Sequence, residues 1–255
     1  MTVLDKFDLS GKVAVVTGGS RGMGREIVKA YAEQGADVVI ASRKLENCEA
    51  LADEIRQTTG RTALGIACHV GQWADCDALI ASTLDRFGRL DILVNNAGMS
   101  PLYDKLADVS EALYDKTLAV NLKGPFRLGV LAGTYMAEHD GGAIINVGTI
   151  GSLIASVAEL PYACAKAGLN SLTVGLAEAF APKVRVNAIL PGAFGTDITK
   201  AWTEQMRSGA GIPLQRIAEP DEIVGAAVYL ASDAASYTTG AAIRVDGGVT
   251  RKIGG

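Results

Sequence analysis

The chain has 255 residues, 49% of them hydrophobic, which is enough apolar material for one large α/β core without disulfide or metal staples. The net charge of −4 comes from interspersed acids and bases, and this argues against a nucleic-acid partner, which requires a basic face. Residues 1–12 lack an apolar segment of signal-peptide length, and no window reaches about 18 unbroken apolar residues, so we expect a cytoplasmic protein that does not enter a membrane.

Four cysteines and two histidines are scattered along the chain without the spacing of a redox or metal site. Cys48, Cys68, Cys76 and Cys164 include no C-x-x-C pair, and neither histidine belongs to a cluster of ligands. No G-x-S-x-G elbow accompanies a histidine, which disfavours a serine hydrolase. We therefore expect thiols that pack as small apolar groups, and no metal.

The first half of the chain alternates short β-branched segments with longer amphipathic segments. In chain order, the pattern predicts a strand at 13–17, a helix at 23–34, a strand at 37–41, a helix at 45–58, and strands at 62–68, 91–94 and 143–147. The strands are almost continuously apolar, as expected when helices cover both faces of a sheet. Alternation of this kind predicts a parallel, doubly wound α/β sheet with right-handed crossovers.

The chain shows no internal boundary. No Pro/Gly/Ser-rich linker, charge run or repeat divides it, so we predict a single domain over residues 1–255. Residues 192–214 are Gly-rich, with a short helix expected near 200–207, and we interpret them as a substrate lid over the carboxyl edge of the sheet. A plain surface connection is the alternative.

A glycine-rich segment, TGGSRGMG at 17–24, ends the first strand and begins the first helix. A dinucleotide pyrophosphate needs a close backbone approach and the free N–H groups of a helix N-terminus. Gly18 provides the turn, Gly22 lets the phosphates approach, and Gly24 lets helix and strand pack closely. A P-loop would require Gly-Lys-Ser/Thr, which is absent here, so the segment predicts a Rossmann-type dinucleotide site.

The glycine spacing T-G-x-x-x-G-x-G and several later motifs resemble the short-chain dehydrogenase/reductase family, in particular its members similar to 3-oxoacyl-[acyl-carrier-protein] reductase. The later motifs, in the family's order, are Asn95-Asn96-Ala97-Gly98, Asn121, Tyr162-x-x-x-Lys166 and Pro191-Gly192. The resemblance covers nearly the whole chain. It implies a seven-stranded parallel sheet, a nicotinamide-dependent oxidoreductase and assembly as a homotetramer or homodimer.

The choice of nicotinamide cofactor follows from charge at the end of the second strand. An acid there would bind a ribose hydroxyl and repel a 2′-phosphate, but the segment ends Ser42-Arg43-Lys44, and Asp37 lies at its other end. Arg21 and Arg43, aided by Ser42, would bind a phosphate. We predict NADP(H). If Arg43 and Lys44 are only solvated charges, NAD(H) is the alternative.

The resemblance also implies the remaining cofactor contacts. His69-Val70 stands where the family usually has Asp-Val, and we expect His69 to be a neighbour of adenine rather than a catalyst. Asn95 resembles the residue that ties the central strands together. Thr196 is expected near the carboxamide or the phosphates, and Phe194 would narrow the nicotinamide side. The further contacts are Gly18, Ser20, Arg21, Gly22, Met23, Gly24, Ala97, Gly98, Pro191 and Gly192.

Tyr162 and Lys166 are four residues apart in a segment predicted to be helical over 163–180, so they share one face. A tyrosine is a poor base at neutral pH, and we expect the neighbouring ammonium and the positive nicotinamide to lower its pKa. By resemblance, Lys166 also holds the nicotinamide ribose, and Asn121 helps to hold a water that links Lys166 to solvent. A bend in the helix is the alternative explanation for Asn121.

The third catalytic group is a hydroxyl. The family has a serine thirteen residues before the tyrosine, and this chain has Thr149 there. We predict that Thr149 hydrogen-bonds the substrate carbonyl in a tighter pocket, because threonine keeps the hydroxyl and adds a methyl. Ser152 is the rival donor.

The substrate is the least determined feature. The loops beside the catalytic residues are mainly apolar, which favours a hydrophobic ketone or a 3-oxoacyl thioester. Oxidation of a sugar or polyol, or interconversion of steroids, with NAD(H) is the alternative within the fold. A non-catalytic sensor of NADP(H) is the alternative in a different class. The pocket candidates are Met99, Leu102, Tyr103, Leu153, Ile154, Ala155, Trp202 and Met206.

Overall fold

The computed structural model describes residues 2–196, 204 and 208–250. Seven parallel strands form one sheet in the order β3-β2-β1-β4-β5-β6-β7, which confirms the predicted fold class and strand number. The strands are β1 (Val13–Thr17), β2 (Asp37–Ser42), β3 (Ala63–Ala67), β4 (Ile92–Asn95), β5 (Gly142–Val147), β6 (Val184–Pro191) and β7 (Ala242–Val245).

Helices cover both faces of the sheet. They are α1 (Gly22–Glu33), α2 (Leu45–Thr59), α3 (Trp73–Phe87), α4 (Glu111–Leu118), α5 (Gly124–Glu138), α6 (Leu160–Phe180) and α7 (Val224–Ala231). A π-helical turn, Ala119–Lys123, joins α4 to α5. Helix α6 begins three residues before the predicted position because Pro161 is in its first turn, where a missing N–H costs nothing. Tyr162 therefore lies inside this helix.

Two apolar layers form the core, one on each face of the sheet. Ala14 and Val16 of β1 pack in the layer beneath α1, α2 and α7, while Val13 and Val15 pack in the layer beneath α3, α5 and α6. All four side chains are buried, because side chains of a strand alternate between two covered faces. This explains the continuous apolar runs in the sequence.

The strand order reverses at β1, which lies between β2 and β4. Crossovers on either side of this point leave a crevice at the carboxyl ends of the strands, and ligands of open α/β sheets bind there. Thr17 ends β1, Asn95 ends β4 and Pro191 ends β6, so the sequence motifs meet at this edge.

The segment predicted as a lid is described only in part. Phe194 pairs with Ala218 in a β-bridge, and the Leu214 N–H donates to the Gly247 oxygen at 3.2 Å. Apart from Glu204, the predicted short helix at 200–207 lies outside the described residues, together with Trp202 and Met206. The lid stays a prediction.

Other sequence expectations have mixed outcomes. Cys48, Cys68 and Cys76 are buried free thiols, as expected, but Cys164 is exposed on α6, so the expectation of packing is wrong for that residue. No helix within the described ranges is long and apolar enough to span a bilayer.

Candidate active site

The glycine loop forms a cradle that side chains would fill. Gly18 has φ +62°, and a Cβ placed on it would lie 2.9 Å from the Ala97 Cα. A Cβ on Gly24 would lie 2.3 Å from the Gly18 oxygen. Helix α1 begins at Gly22 without a side-chain cap, so its first N–H groups face the crevice edge as an anion site. These residues fit a dinucleotide pyrophosphate.

Asn96 and Thr17 hold this loop in place. The Asn96 Nδ2 donates to the backbone oxygens of Thr17 at 2.9 Å and Gly18 at 3.1 Å. The Thr17 Oγ1 accepts from the backbone N–H groups of Asn96 and Ala97, both at 3.1 Å. Sequence reasoning gave neither residue a role. Thr17 belongs to the TG motif and Asn96 to the NNAG motif, and this membership could have indicated their role.

The carboxyl end of β2 meets the glycine loop through a serine pair. The Ser20 Oγ lies 3.0 Å from the Ser42 Oγ, and the next residues, Arg21 and Arg43, are both exposed. Asp37, at the other end of β2, pairs with Arg61 at 2.9 Å. The end of β2 therefore carries cations and hydroxyls and no acid, as the sequence indicated.

His69 lies two residues beyond β3, at the same edge of the sheet. Its Nδ1 accepts from the Gly71 N–H at 3.2 Å, and its own backbone N–H donates to Asp75 at 2.9 Å. Because Nδ1 is the acceptor, the ring proton is carried by Nε2. Val70 is buried beside it. This position is consistent with a neighbour of adenine.

Lys166 is buried, with 2% of its surface exposed, and lies on the face of α6 that carries Tyr162. Its Nζ donates to the Val147 oxygen at 2.7 Å and lies 5.8 Å from the centroid of the Tyr162 ring. Burial lowers the pKa of Lys166 to about 8. The ammonium is thus held between the end of β5 and the tyrosine.

The pKa of Tyr162 is raised above its ordinary value, first by burial and then by the negative charge of Glu159, while a hydrogen bond with Thr149 lowers it. The protein's own groups therefore shift this pKa opposite to our expectation. The main reason is burial of the phenol, and the carboxylate of Glu159 adds to it, while Lys166 donates to the Val147 oxygen.

Thr149 and Ser152 have different surroundings. Thr149 lies close enough to the Tyr162 phenol to lower its pKa, and its Oγ1 accepts from the Gly151 N–H at 3.1 Å. The Ser152 Oγ donates to the Thr149 oxygen at 2.6 Å and accepts from the Asn170 amide at 2.9 Å. Ser152 is thus engaged within its own turn, and Thr149 is the hydroxyl beside the tyrosine.

Asn121 is buried in the π-helical turn, a kind of irregularity frequent at functional sites. Its Nδ2 donates to the Met99 oxygen at 2.8 Å and the Thr117 oxygen at 2.9 Å, and its Oδ1 accepts from the Met99 N–H at 3.2 Å. A Cβ on Gly98 would lie 3.1 Å from this Oδ1 and 3.7 Å from the Lys166 Nζ. The side chain fixes the loop that passes over Lys166.

Asn95 links the central strands, as the resemblance implied. Its Nδ2 donates to the Asn146 Oδ1 at 2.9 Å, and Asn146 donates in turn to the Thr173 Oγ1 at 2.9 Å. The chain of bonds joins β4, β5 and α6. Ala97, two residues on, lies against the Gly18 turn. Asn95 thus acts through its neighbours on the geometry of the crevice.

The residues after β6 complete the crevice. The Gly192 N–H donates to the Val245 oxygen at 2.9 Å, and a Cβ on Gly192 would lie 2.8 Å from the Asp246 Cα. Thr196 lies against the glycine loop, since a Cβ on Gly22 would lie 3.4 Å from its Cγ2. The Phe194 side chain is 3% exposed and packs in the α1 layer of the core.

The loops that flank Tyr162 are joined to each other. The Tyr103 hydroxyl donates to the Val157 oxygen and accepts from the Leu160 N–H at 2.9 Å. Leu102, Leu153 and Ile154 are exposed around them, as apolar pocket candidates should be. Met99 instead packs partly in the core. Glu159, which no sequence motif indicated, is half-buried between the loops that flank Tyr162.

Comparison with known proteins decides the family. The family model described as enoyl-(acyl carrier protein) reductase matches residues 18–250. L-rhamnose 1-dehydrogenase (NAD(P)(+)) of Azotobacter vinelandii is 39% identical over 251 residues, with 94% of this chain and 97% of the relative covered. This chain belongs to the short-chain dehydrogenase/reductase family. It is an oxidoreductase acting on CH–OH or C=O groups.

Two further proteins resemble this enzyme over nearly its whole length. D-threitol dehydrogenase of Mycolicibacterium smegmatis is 39% identical over 250 residues, covering 96% of this chain and 95% of the relative. The crystal structure of the NADPH-dependent 3-quinuclidinone reductase of Rhodotorula rubra superimposes with a TM-score of 0.93 at 29% identity, covering 98% of this chain and 96% of that one. The fold is thus shared by members with different substrates.

Proposed function

We propose that this enzyme interconverts a secondary alcohol and a ketone, with NADP(H) as cofactor and Tyr162 as the proton-transferring residue. One observation carries the proposal. Tyr162, the buried Lys166 and Thr149 converge at the carboxyl edge of the sheet, beside a glycine loop that fits a pyrophosphate. An acid/base residue, a buried cation and a hydroxyl donor are the groups that reduction of a carbonyl requires.

The chain's own residues handle the oxygen and its proton. NADPH, when bound, supplies the hydride to the carbonyl carbon. Thr149 and Tyr162 hydrogen-bond the carbonyl oxygen, and Tyr162 donates its proton as the alkoxide forms. Lys166, with a pKa near 8, returns a proton to the phenolate close to neutral pH. Asn121 positions the Met99 loop over Lys166 and thereby shapes the path of that proton to solvent.

The preference for NADP(H) is supported by the end of β2. Ser20 and Ser42 are in contact, the exposed Arg21 and Arg43 follow them, and no acid ends the strand. A 2′-phosphate would find hydroxyl donors and guanidinium groups there, whereas a bare ribose would lack its usual carboxylate partner. We expect kcat/KM to be higher with NADPH than with NADH. A preference for NADH would overturn this part of the proposal.

Two observations point to different substrates. The exposed Leu102, Leu153 and Ile154 favour the hydrophobic ketone or 3-oxoacyl thioester expected from the sequence. The relatives named for L-rhamnose and D-threitol favour a sugar or polyol. We propose a small hydroxylated alcohol, because those relatives match this chain from end to end and a half-buried carboxylate lies beside Tyr162.

Turnover across a panel of ketones and alcohols tests the function. We expect NADPH oxidation with at least one ketone, and a loss of about 10²-fold or more in kcat for Tyr162→Phe, since that variant keeps the ring and removes the proton. NADPH affinity should change little. Tight NADPH binding without turnover in either direction would instead support a cofactor sensor.

A further inference from the structure

Glu159 places a carboxylate between the two loops that flank the catalytic tyrosine. It lies three residues before Tyr162, just ahead of helix α6. Its Oε2 accepts from the Ser100 Oγ at 3.3 Å, and a Cβ on Gly151 would lie 2.9 Å from its Oε1. One oxygen therefore faces the loop after β4 and the other faces the turn that carries Thr149.

Within the part of the chain that the structure describes, no cation neutralises the charge of Glu159. No ion pair involves Glu159 within the described ranges, and Ser100 donates the only side-chain hydrogen bond that it receives there. Burial raises the pKa of Glu159, and its charge raises the pKa of Tyr162, so the two groups interact. A half-buried acid that lacks a neighbouring cation is costly for the fold, and such groups concentrate at functional sites.

The Glu159 carboxylate lies between the turn that carries Thr149 and the loop after β4, where it offers an acceptor. With Thr149 and Tyr162 on the reacting oxygen, as proposed above, this acceptor would meet the groups on the next carbon atom. A hydroxyl there can donate to Glu159, whereas an alkyl group cannot, and a carboxylate would be repelled. Ser100 orients the Glu159 carboxylate from the opposite side.

We propose that Glu159 determines specificity by accepting a hydrogen bond from the hydroxyl next to the reacting carbinol, so that neutral vicinal diols are selected over simple alcohols and over hydroxy acids. The proposal rests on the function proposed above and names its substrate class. It also explains why an acid lies in a pocket whose rim, Leu102, Leu153 and Ile154, is otherwise apolar.

The test compares butane-2,3-diol, butan-2-ol and 3-hydroxybutyrate as substrates of the purified protein with NADP⁺. We expect the wild type to prefer the diol. Glu159→Gln should reduce the ratio of kcat/KM for the diol over butan-2-ol about tenfold, since hydrogen bonds to charged groups are the stronger ones. The same variant should raise kcat/KM for 3-hydroxybutyrate relative to butan-2-ol.

A pH profile separates this role from a merely structural one. Oxidation of the alcohol requires deprotonated Tyr162. Burial and the Glu159 charge raise the pKa of that phenol, and the Lys166 Nζ lies 5.8 Å from the centroid of its ring. Removing the charge in Glu159→Gln should therefore shift the rise of kcat/KM with butan-2-ol to lower pH. Glu178→Gln, at an exposed acid of the same helix, is the matched control and should change neither the ratio nor the profile.

The outcomes are distinct. An unchanged substrate ratio in a folded Glu159→Gln enzyme overturns the inference and leaves the oxidoreductase function standing. Absence of dinucleotide-dependent turnover by the wild type, with every alcohol and ketone, overturns the function itself. If Glu159→Gln does not fold, Ser100→Ala should still reduce the ratio about threefold by releasing the carboxylate, and no reduction would contradict the proposal.

Discussion

Thr149 and Ser152 differ in their surroundings, and the difference concerns single side chains. Thr149 stands at the position of the family's serine, follows the carboxyl end of β5 and lowers the pKa of Tyr162. Ser152, only three residues away, is held by Asn170 and by the Thr149 backbone. The two hydroxyls are three residues apart in sequence, but they have different hydrogen-bond partners.

Substitution at these two positions separates them. Thr149→Val should lower kcat by about 10²-fold, because removing one donor to a developing oxyanion costs that much in other enzymes. Thr149→Ser restores the hydroxyl and should recover most of the activity, while Ser152→Ala should retain it. Steady-state kinetics with one ketone provides the measurement. Full turnover by Thr149→Val would mean that another group donates the hydrogen bond to the carbonyl oxygen.

At the scale of elements, the glycine loop depends on a side chain from a different strand. The loop follows β1, but the Asn96 amide beyond β4 satisfies its carbonyl oxygens. A turn with positive φ at Gly18 and Gly22 has no regular hydrogen-bond pattern of its own. The cradle is therefore a product of two βα connections rather than one.

Asn96→Ala tests this coupling. The variant leaves the oxygens of Thr17 and Gly18 without their donor, so we expect the NADPH Kd to rise about tenfold and stability to fall by about 1–2 kcal/mol. Fluorescence titration and urea unfolding measure the two effects. Asn187→Ala removes a comparable buried amide bond, to the Thr238 oxygen at 2.8 Å, and should reduce stability without weakening NADPH binding. Equal losses of affinity in both variants would contradict the coupling.

Helix α6 places the acid/base pair by its length and its starting point. The helix begins at Leu160 with Pro161 in its first turn, so Tyr162 lies inside it, and Lys166 follows four residues later on the same face. The helix then runs to Phe180 against β6 and α5, so the pair is carried by a long, well-packed element. Catalytic groups are held most accurately on such elements.

For the molecule as a whole, the burial of Lys166 couples its proposed role in proton transfer to the stability of the fold. Its pKa is lowered from an ordinary 10.5 to about 8, so between these values the unfolded chain holds a proton that the folded chain lacks. Stability attributable to this group therefore increases with pH across that window and is lost as the pH falls toward 8. The full difference corresponds to about 3 kcal/mol.

The difference in unfolding free energy between wild type and Lys166→Met should follow this course. Relative to the variant, the wild type should gain up to about 3 kcal/mol between pH 8 and 10.5, measured by urea unfolding. Lys116→Met, at an exposed lysine of α4, is the control and should show no such trend. A difference independent of pH would mean that Lys166 is not desolvated in the folded protein. Assembly as a homotetramer or homodimer stays a prediction of the family.

Local sequence patterns were enough to predict the fold class, the glycine loop and the placement of Tyr162 and Lys166 on one face of a helix. Each of these depends on local patterns: apolar runs in covered strands, glycines at a strand–helix junction, and a four-residue spacing on one helix. The predicted helix boundaries were wrong by a few residues. Helix α6 begins at Leu160, with Pro161 in its first turn, which is earlier than the apolar pattern indicated.

Which groups surround Tyr162 depends on tertiary contacts that no local pattern indicates. The Ser152 hydroxyl accepts a hydrogen bond from Asn170, and Lys166 donates to the Val147 oxygen. Burial and the charge of Glu159 raise the pKa of Tyr162. The Glu159 carboxylate is held by Ser100, which is 59 residues away in the chain. Spacing along a chain does not encode burial or contacts between distant loops, and the pKa of a buried group depends on both.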